Sequence, residues 1–112
     1  MDCIFCKIAD GRIPSRKVHE DATTLAFHDL SPQAPTHVLV IPKQHIASVD
    51  EARPEHAQAL GSLFLSAQKV AAQLGLTQGY RMVVNNGENA GQSVFHIHMH
   101  VLGGRPLLWP PG

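Results

Sequence analysis

Phe95-His96-Ile97-His98-Met99-His100-Val101-Leu102 is the stretch on which the reading of this chain turns. Apolar residues and histidines alternate without a break, the period of a half-buried β-strand. Successive side chains of a strand point to opposite faces. Phe95, Ile97, Met99 and Val101 are therefore expected in the core, and His96, His98 and His100 together on the other face. On one face of a strand, neighbouring side chains stand roughly 6.8 Å apart. Three identical titratable rings serve no purpose in folding, where a polar strand face normally mixes Thr, Ser, Lys and Glu. Two chemistries suit the row. Two or three imidazoles can hold a catalytic metal. Alternatively, one imidazole is a nucleophile and its neighbours handle protons and phosphate charge.

The segments around this strand build an α+β domain. Residues 16–20 and 23–28 read as strands about the turn Asp21-Ala22. Pro32 and Pro35 make residues 29–35 a loop. His37 to Pro42 (HVLVIP) is the most hydrophobic strand, and Tyr80 to Val84 another. The principal helix is expected over residues 54–74. Pro54 suits its first position, and Gly75 its end. Ala57, Leu60, Leu63, Phe64, Ala67, Val70, Ala71 and Leu74 form its apolar stripe. Residues 3–9 read as a short helix that turns Ile4, Phe5 and Ile8 inward and stops before Gly11. Residues 85–91 (NNGENAG) are a turn-rich loop, and residues 103–112 an irregular tail. The expected fold is a five-stranded antiparallel sheet with one long and one short helix, in a single domain spanning residues 1–112.

Composition narrows the function. In 112 residues, apolar types make 44% and charged types 16%, a globular balance. Nine Lys and Arg offset nine Asp and Glu, so charge supplies no attraction to nucleic acid or to an anionic membrane. No apolar run approaches the ~20 residues of a membrane span. The start MDCIFCKIADGR lacks a secretory pattern, so a cytoplasmic location is expected. In that reducing setting Cys3 and Cys6 are not expected to form a disulfide. Eight histidines outnumber Trp, Tyr and Phe together, and histidine is the side chain most readily used for chemistry near neutral pH.

His96-x-His98-x-His100 followed by two apolar residues resembles the signature of the histidine triad (HIT) family. The resemblance extends over CIFCKI (3–8), LAFHDLSPQAPTHVLVIPKQHI (25–46), GYRMVVNNG (79–87), GQSVFHIHMHVLGGR (91–105) and the terminal WPPG. These blocks, with Gly103-Gly104-Arg105, are similar to the Hint branch, which contains purine nucleoside phosphoramidases. The resemblance implies a homodimer whose two sheets join into ten strands. It implies hydrolysis of the P–N bond in purine nucleoside 5′-monophosphoramidates, with a dinucleoside-polyphosphate hydrolase as the runner-up. A non-catalytic nucleotide-binding regulatory module is the alternative from another class.

The resemblance also assigns roles. His98 is the nucleophile, and His100 contacts the phosphate or the leaving group. His37 matches the family's fourth histidine, and His96 completes the catalytic set with Ser93. Attack through one imidazole nitrogen requires the proton on the other, which a backbone carbonyl or His37 can fix. Gly91, Gln92 and Ser93 suit an anion-binding backbone concavity, and Asn85 matches a residue near the phosphate. Asp29 matches the acid that binds the ribose diol, although a loop cap is its bland role. Ile4, Phe5, Ile8, Phe27, His28 and Leu30 match the nucleobase pocket, although periodicity alone makes most of them core. Trp109 matches a tail residue that reaches toward the partner's site. No cofactor is required for catalysis. Cys3-x-x-Cys6 is half of a tetrahedral metal site. Some family members complete it with the counterparts of His45 and His96, which would make a structural zinc.

Overall fold

The computed structural model describes residues 2–112. Helix α1 (Ile4–Ala9) is followed by strands β1 (Lys17–Glu20), β2 (Thr24–His28) and β3 (Thr36–Pro42). A 3-10 turn at Pro54–His56 leads into helix α2 (Ala57–Gln73), then β4 (Tyr80–Val83) and β5 (Met99–Gly103). The sheet is antiparallel, in the order β1-β2-β3-β5-β4.

Strand alternation sorts the core into two clusters, one on each face of the sheet. Ala26, Val38, Val40, Met99 and Val101 pack with Leu63, Ala67 and Val70 of α2. Leu25, Phe27, Leu39 and Ile41 pack on the other face with Cys3, Phe5 and Ile8 of the N-terminal segment. A single long helix thus covers one face, as expected, and the short helix covers only part of the other. The histidines lie on that second face, with His37, His96 and His98 buried and His100 half-buried.

Two expectations need correction. The last strand begins at Met99 and not at Phe95. Its partner β3 ends at Pro42, which has no N–H to continue a ladder. The Pro42 carbonyl instead accepts a hydrogen bond from His96 Nε2 at 2.8 Å. Ile97 N–H donates to Ile46 O at 2.7 Å. Phe95, outside the strand, is 51% exposed and not core. On α2, the stripe is narrower than its periodicity suggests. Leu63, Ala67, Val70 and Ala71 are buried, but Ala57 and Phe64 are exposed.

Candidate active site

The departure from strand geometry before Met99 separates the three histidines. His100, on β5, lies diagonally across from His37 on β3, because His37 is opposite Leu102 and Leu39 opposite His100. His37 Nε2 and His100 Nδ1 are 2.9 Å apart. The His98 ring stands 5.1 Å from that of His100. Its other side meets the edge of Phe5, also at 5.1 Å. His96 turns away from this cleft and is completely buried. Its Nδ1 faces Cys3 Sγ at 3.3 Å, His45 Nδ1 at 3.2 Å and Cys6 Sγ at 3.5 Å. The expected row of three rings is therefore a pair plus one. Its third neighbour comes from β3.

The hydrogen-bond partners assign each ring proton. His98 Nδ1 lies 2.8 Å from the His96 carbonyl, which can only accept. His98 therefore carries its proton on Nδ1 and has a bare lone pair on Nε2. Gln33 N–H donates to His37 Nδ1 at 3.0 Å, so neutral His37 holds its proton on Nε2. That proton goes to His100 Nδ1, which leaves the His100 proton on Nε2. Asp29 Oδ2 stands 3.5 Å from His37 Nε2, while Oδ1 accepts from Ser31 N–H at 2.7 Å. Asp29 is thus a loop cap and a cleft carboxylate at once.

The cleft disfavours the charged forms of His37 and His100. Burial, reinforced by His98 and His37, pushes His100 down to about 4 against the pull of Asp29. Burial lowers His37 as well, again opposed by Asp29. Unfolded histidine takes up its proton near 6.5, so between about 4 and 6.5 the unfolded chain binds more protons than the folded one. Stability should then be full above pH 6.5 and fall as the pH drops through that window. Urea titrations at pH 7.5 and 5.0 check this. The midpoint should be lower at pH 5.0, and His100→Gln should shrink the difference; equal midpoints for the wild-type chain would contradict it.

Two groups of side chains, Cys3-Cys6-His45-His96 and Asp29-His37-His100, bring metal-ligating atoms together among the described residues. Hydrogen bonding distinguishes them. A metal-bound imidazole donates its second nitrogen's proton to an acceptor. His96 does so, since Nε2–H meets Pro42 O and Nδ1 faces the cluster. His37 does not, because its second nitrogen already accepts a hydrogen bond from Gln33 N–H. A tetrahedral zinc with ordinary bond lengths sets S···N edges near ~3.6 Å and N···N edges near ~3.3 Å. The cysteine cluster has S···N distances of 3.3, 3.3 and 3.5 Å and an N···N distance of 3.2 Å. These residues fit a zinc ion. Burial, reinforced by Cys3, pushes the Cys6 thiol up to about 11. A nearby dication would reverse that preference.

The remaining expected residues divide by position. Phe5, Ile8 and Phe27 line the histidine-bearing face, with Phe5 and Phe27 edge to face at 5.7 Å. Ile4 is half-exposed at its margin, and Leu30 is 93% exposed. Strand alternation turns His28 to the face opposite Phe27. Ser93 is exposed, and Asn85 Nδ2 lies near Gly91, 3.7 Å from where a Cβ would stand. Gln92 is committed elsewhere. Its side chain accepts from Gly87 N–H and donates to Ala47 O and Val94 O, while its backbone N–H bonds Gly87 O. It braces the loop and has no donor left for a ligand. Trp109 is 81% exposed in the tail. The sequence reading missed Gln33, because a backbone N–H carries no residue-type signal.

A five-stranded antiparallel sheet carrying this histidine cluster defines a histidine triad domain. The HIT domain family model matches residues 10–107. An uncharacterized HIT-like protein of Synechococcus elongatus is 56% identical over 111 residues, 99% of this chain and 97% of that one. The crystal structure of a HIT family hydrolase from Legionella pneumophila is 49% identical, with a TM-score of 0.96 over 99% of this chain and 100% of that chain. A histidine triad nucleotide-binding protein from Candida albicans is 36% identical, with a TM-score of 0.83 over 97% of this chain and 83% of the other. The chain belongs to the HIT family and has the fold of its hydrolases. No helix among the described residues is long and apolar enough to cross a membrane.

Proposed function

We propose that this protein is a nucleoside phosphoramidase that hydrolyses the P–N bond of purine nucleoside 5′-monophosphoramidates. The observation that carries the reading is the bond from His98 Nδ1–H to the His96 carbonyl, which leaves Nε2 as a free lone pair beside His100. Neutral imidazole with a fixed tautomer is a nucleophile at pH 7 and, once phosphorylated, a good leaving group. In the first step Nε2 bonds to phosphorus and the P–N bond to the amine breaks. The amine leaves with a proton from solvent. In the second step water attacks phosphorus, returns a proton to solvent, and the imidazole departs with release of the nucleoside monophosphate. His100 Nε2–H donates to a phosphate oxygen in both steps, and Ser93 and Asn85 supply further donors. Asp29 accepts from the ribose diol, while Phe5, Ile8 and Phe27 face the base. His37 orients His100.

His96 acts through its carbonyl, and its ring belongs to the metal cluster. Cys3, Cys6, His45 and His96 would hold a structural zinc, which would cross-link α1 to the segments after β3 and before β5. Catalysis itself needs no cofactor. We read the active form as a cytoplasmic homodimer. Phe64 and Leu65 on α2, at 56% and 62% exposure, and the unpaired edge of β4 support that assembly. Trp109 would then lie toward the partner's cleft. A dinucleoside-polyphosphate hydrolase would use the same nucleophile on a different leaving group. The decisive comparison is kcat/KM on adenosine 5′-phosphoramidate against a diadenosine polyphosphate. The larger value is expected on the phosphoramidate, and the reverse order would select the runner-up. Binding of AMP without turnover of either would leave only a binding module.

A further inference from the structure

The Gly103-Gly104-Arg105 run that ends β5 lies outside the histidine cleft, yet a hydrogen-bonded path connects the two. Gly104 has φ +90°, and a Cβ there would stand 2.9 Å from Pro35 Cβ. Only glycine therefore lets the Asp29–Pro35 loop lie flat against this turn. Arg105 then reaches over it, and its Nη2 donates to Gln33 O at 2.9 Å. Its Nη1 donates to Pro106 O at 3.0 Å, which steadies the guanidinium. Within the loop, Gln33 Nε2 donates to Ser31 O at 3.0 Å. The backbone N–H of the same Gln33 donates to His37 Nδ1, and His37 Nε2 meets His100 Nδ1.

We infer that the Gln33 peptide N–H, held in place by Arg105, is a positioning group for His100, selecting through His37 the tautomer that presents His100 Nε2–H to the phosphate. The electrostatics show why such a device is useful. Burial lowers His37 against the pull of Asp29, which stands 3.5 Å from its Nε2. A proton on Nδ1 would face the Gln33 N–H, donor against donor, so the peptide confines the single proton to Nε2. A neutral His37 with its proton on Nε2 has His100 Nδ1 as its nearer acceptor, at 2.9 Å against 3.5 Å to Asp29 Oδ2. His100 is left with a single arrangement, lone pair toward His37 and proton toward the cleft. The Gly-Gly-Arg turn and the Pro-bounded loop thus serve the catalytic ring without touching substrate.

The positioning role for catalysis rests on the phosphoramidase reading, but the tautomer assignment does not. The experiment is long-range ¹H–¹⁵N NMR of protein labelled with ¹⁵N in histidine, combined with steady-state kinetics on adenosine 5′-phosphoramidate. His37 and His100 should both be Nε2–H in the wild-type chain. Gln33→Ala keeps the N–H and should retain both tautomers. Gln33→Pro removes it. His37 should then gain Nδ1–H or cationic character, His100 should lose its fixed tautomer, and kcat should fall about 10- to 100-fold with KM little changed, as for other lost orienting groups. Should Gln33→Pro fail to fold, Arg105→Ala provides the same readout in weaker form and Arg105→Lys restores part of it. Wild-type tautomers in a folded Gln33→Pro chain would overturn the inference, as would wild-type tautomers in Arg105→Ala when Gln33→Pro is unfolded. An Nδ1–H tautomer of His37 in the wild-type chain would overturn it too. The expected tautomers with no phosphoramidate turnover would instead reject the functional reading and leave the tautomer relay standing.

Discussion

His98→Ala is expected to lower kcat on adenosine 5′-phosphoramidate by about 10⁴- to 10⁶-fold, the loss found when a covalent nucleophile is deleted. No neighbouring ring can replace it. His100 has its lone pair turned to His37, and His96 has its Nδ1 in the cysteine cluster and its proton on Pro42 O. Stability changes less than activity, but it does change. His98 is only 6% exposed, and its removal leaves the His96 carbonyl without a donor. That costs about 1–3 kcal/mol, small enough for the variant to fold and bind AMP. Rapid-quench mass spectrometry provides the positive counterpart. Wild-type protein mixed with the phosphoramidate should acquire one AMP on the peptide containing His98, and His98→Ala none. Normal turnover by the alanine variant, or steady hydrolysis with no adduct at any quench time, would remove the nucleophile from the proposal.

The second large effect belongs to the Cys3-Cys6-His45-His96 cluster. Protein purified without chelator should contain about one zinc per chain, and Cys3→Ser/Cys6→Ser almost none. A ligand that binds only the folded state at 1,000 times its Kd adds about 4 kcal/mol, so a domain of this size should lose about 15 °C in Tm without the metal. The effect should reach the cleft, because His96 uses its ring in the cluster and its carbonyl on His98. Cys3 also caps α1, accepting from Cys6 N–H at 3.2 Å, so α1 and its Phe5 should loosen together with the cluster. Elemental analysis and thermal unfolding with and without chelator check the prediction. A zinc-free wild-type protein with an unchanged Tm would show that two thiols and two imidazoles pack here without an ion.

Periodicity determined most of the architecture. The five strands and two helices were legible because each has a clean period and a stop signal, such as Gly75 after α2. The histidines as chemical centre were legible from their number and spacing, and the cysteine pair from its half-site pattern. What periodicity could not convey was where the ladder stops. The alternation of residues 95–102 is continuous in sequence, but a strand needs a partner along its whole length, and β3 ends in a proline. His96 therefore turned toward Cys3, Cys6 and His45, while His98 and His100 stayed in the cleft. Phe64 fell on the edge of its stripe for a similar reason: the width of the buried face depends on what packs against it. The roles of Gln33 and Asp29 toward His37 depend on a loop folding back over β3, and the commitment of Gln92 depends on four hydrogen bonds to Gly87, Ala47 and Val94. Local sequence sets which groups a chain has and how often they recur. Which hydrogen-bond partner each finds is decided only when distant segments meet, and here that choice assigns the proton on every ring of the cleft.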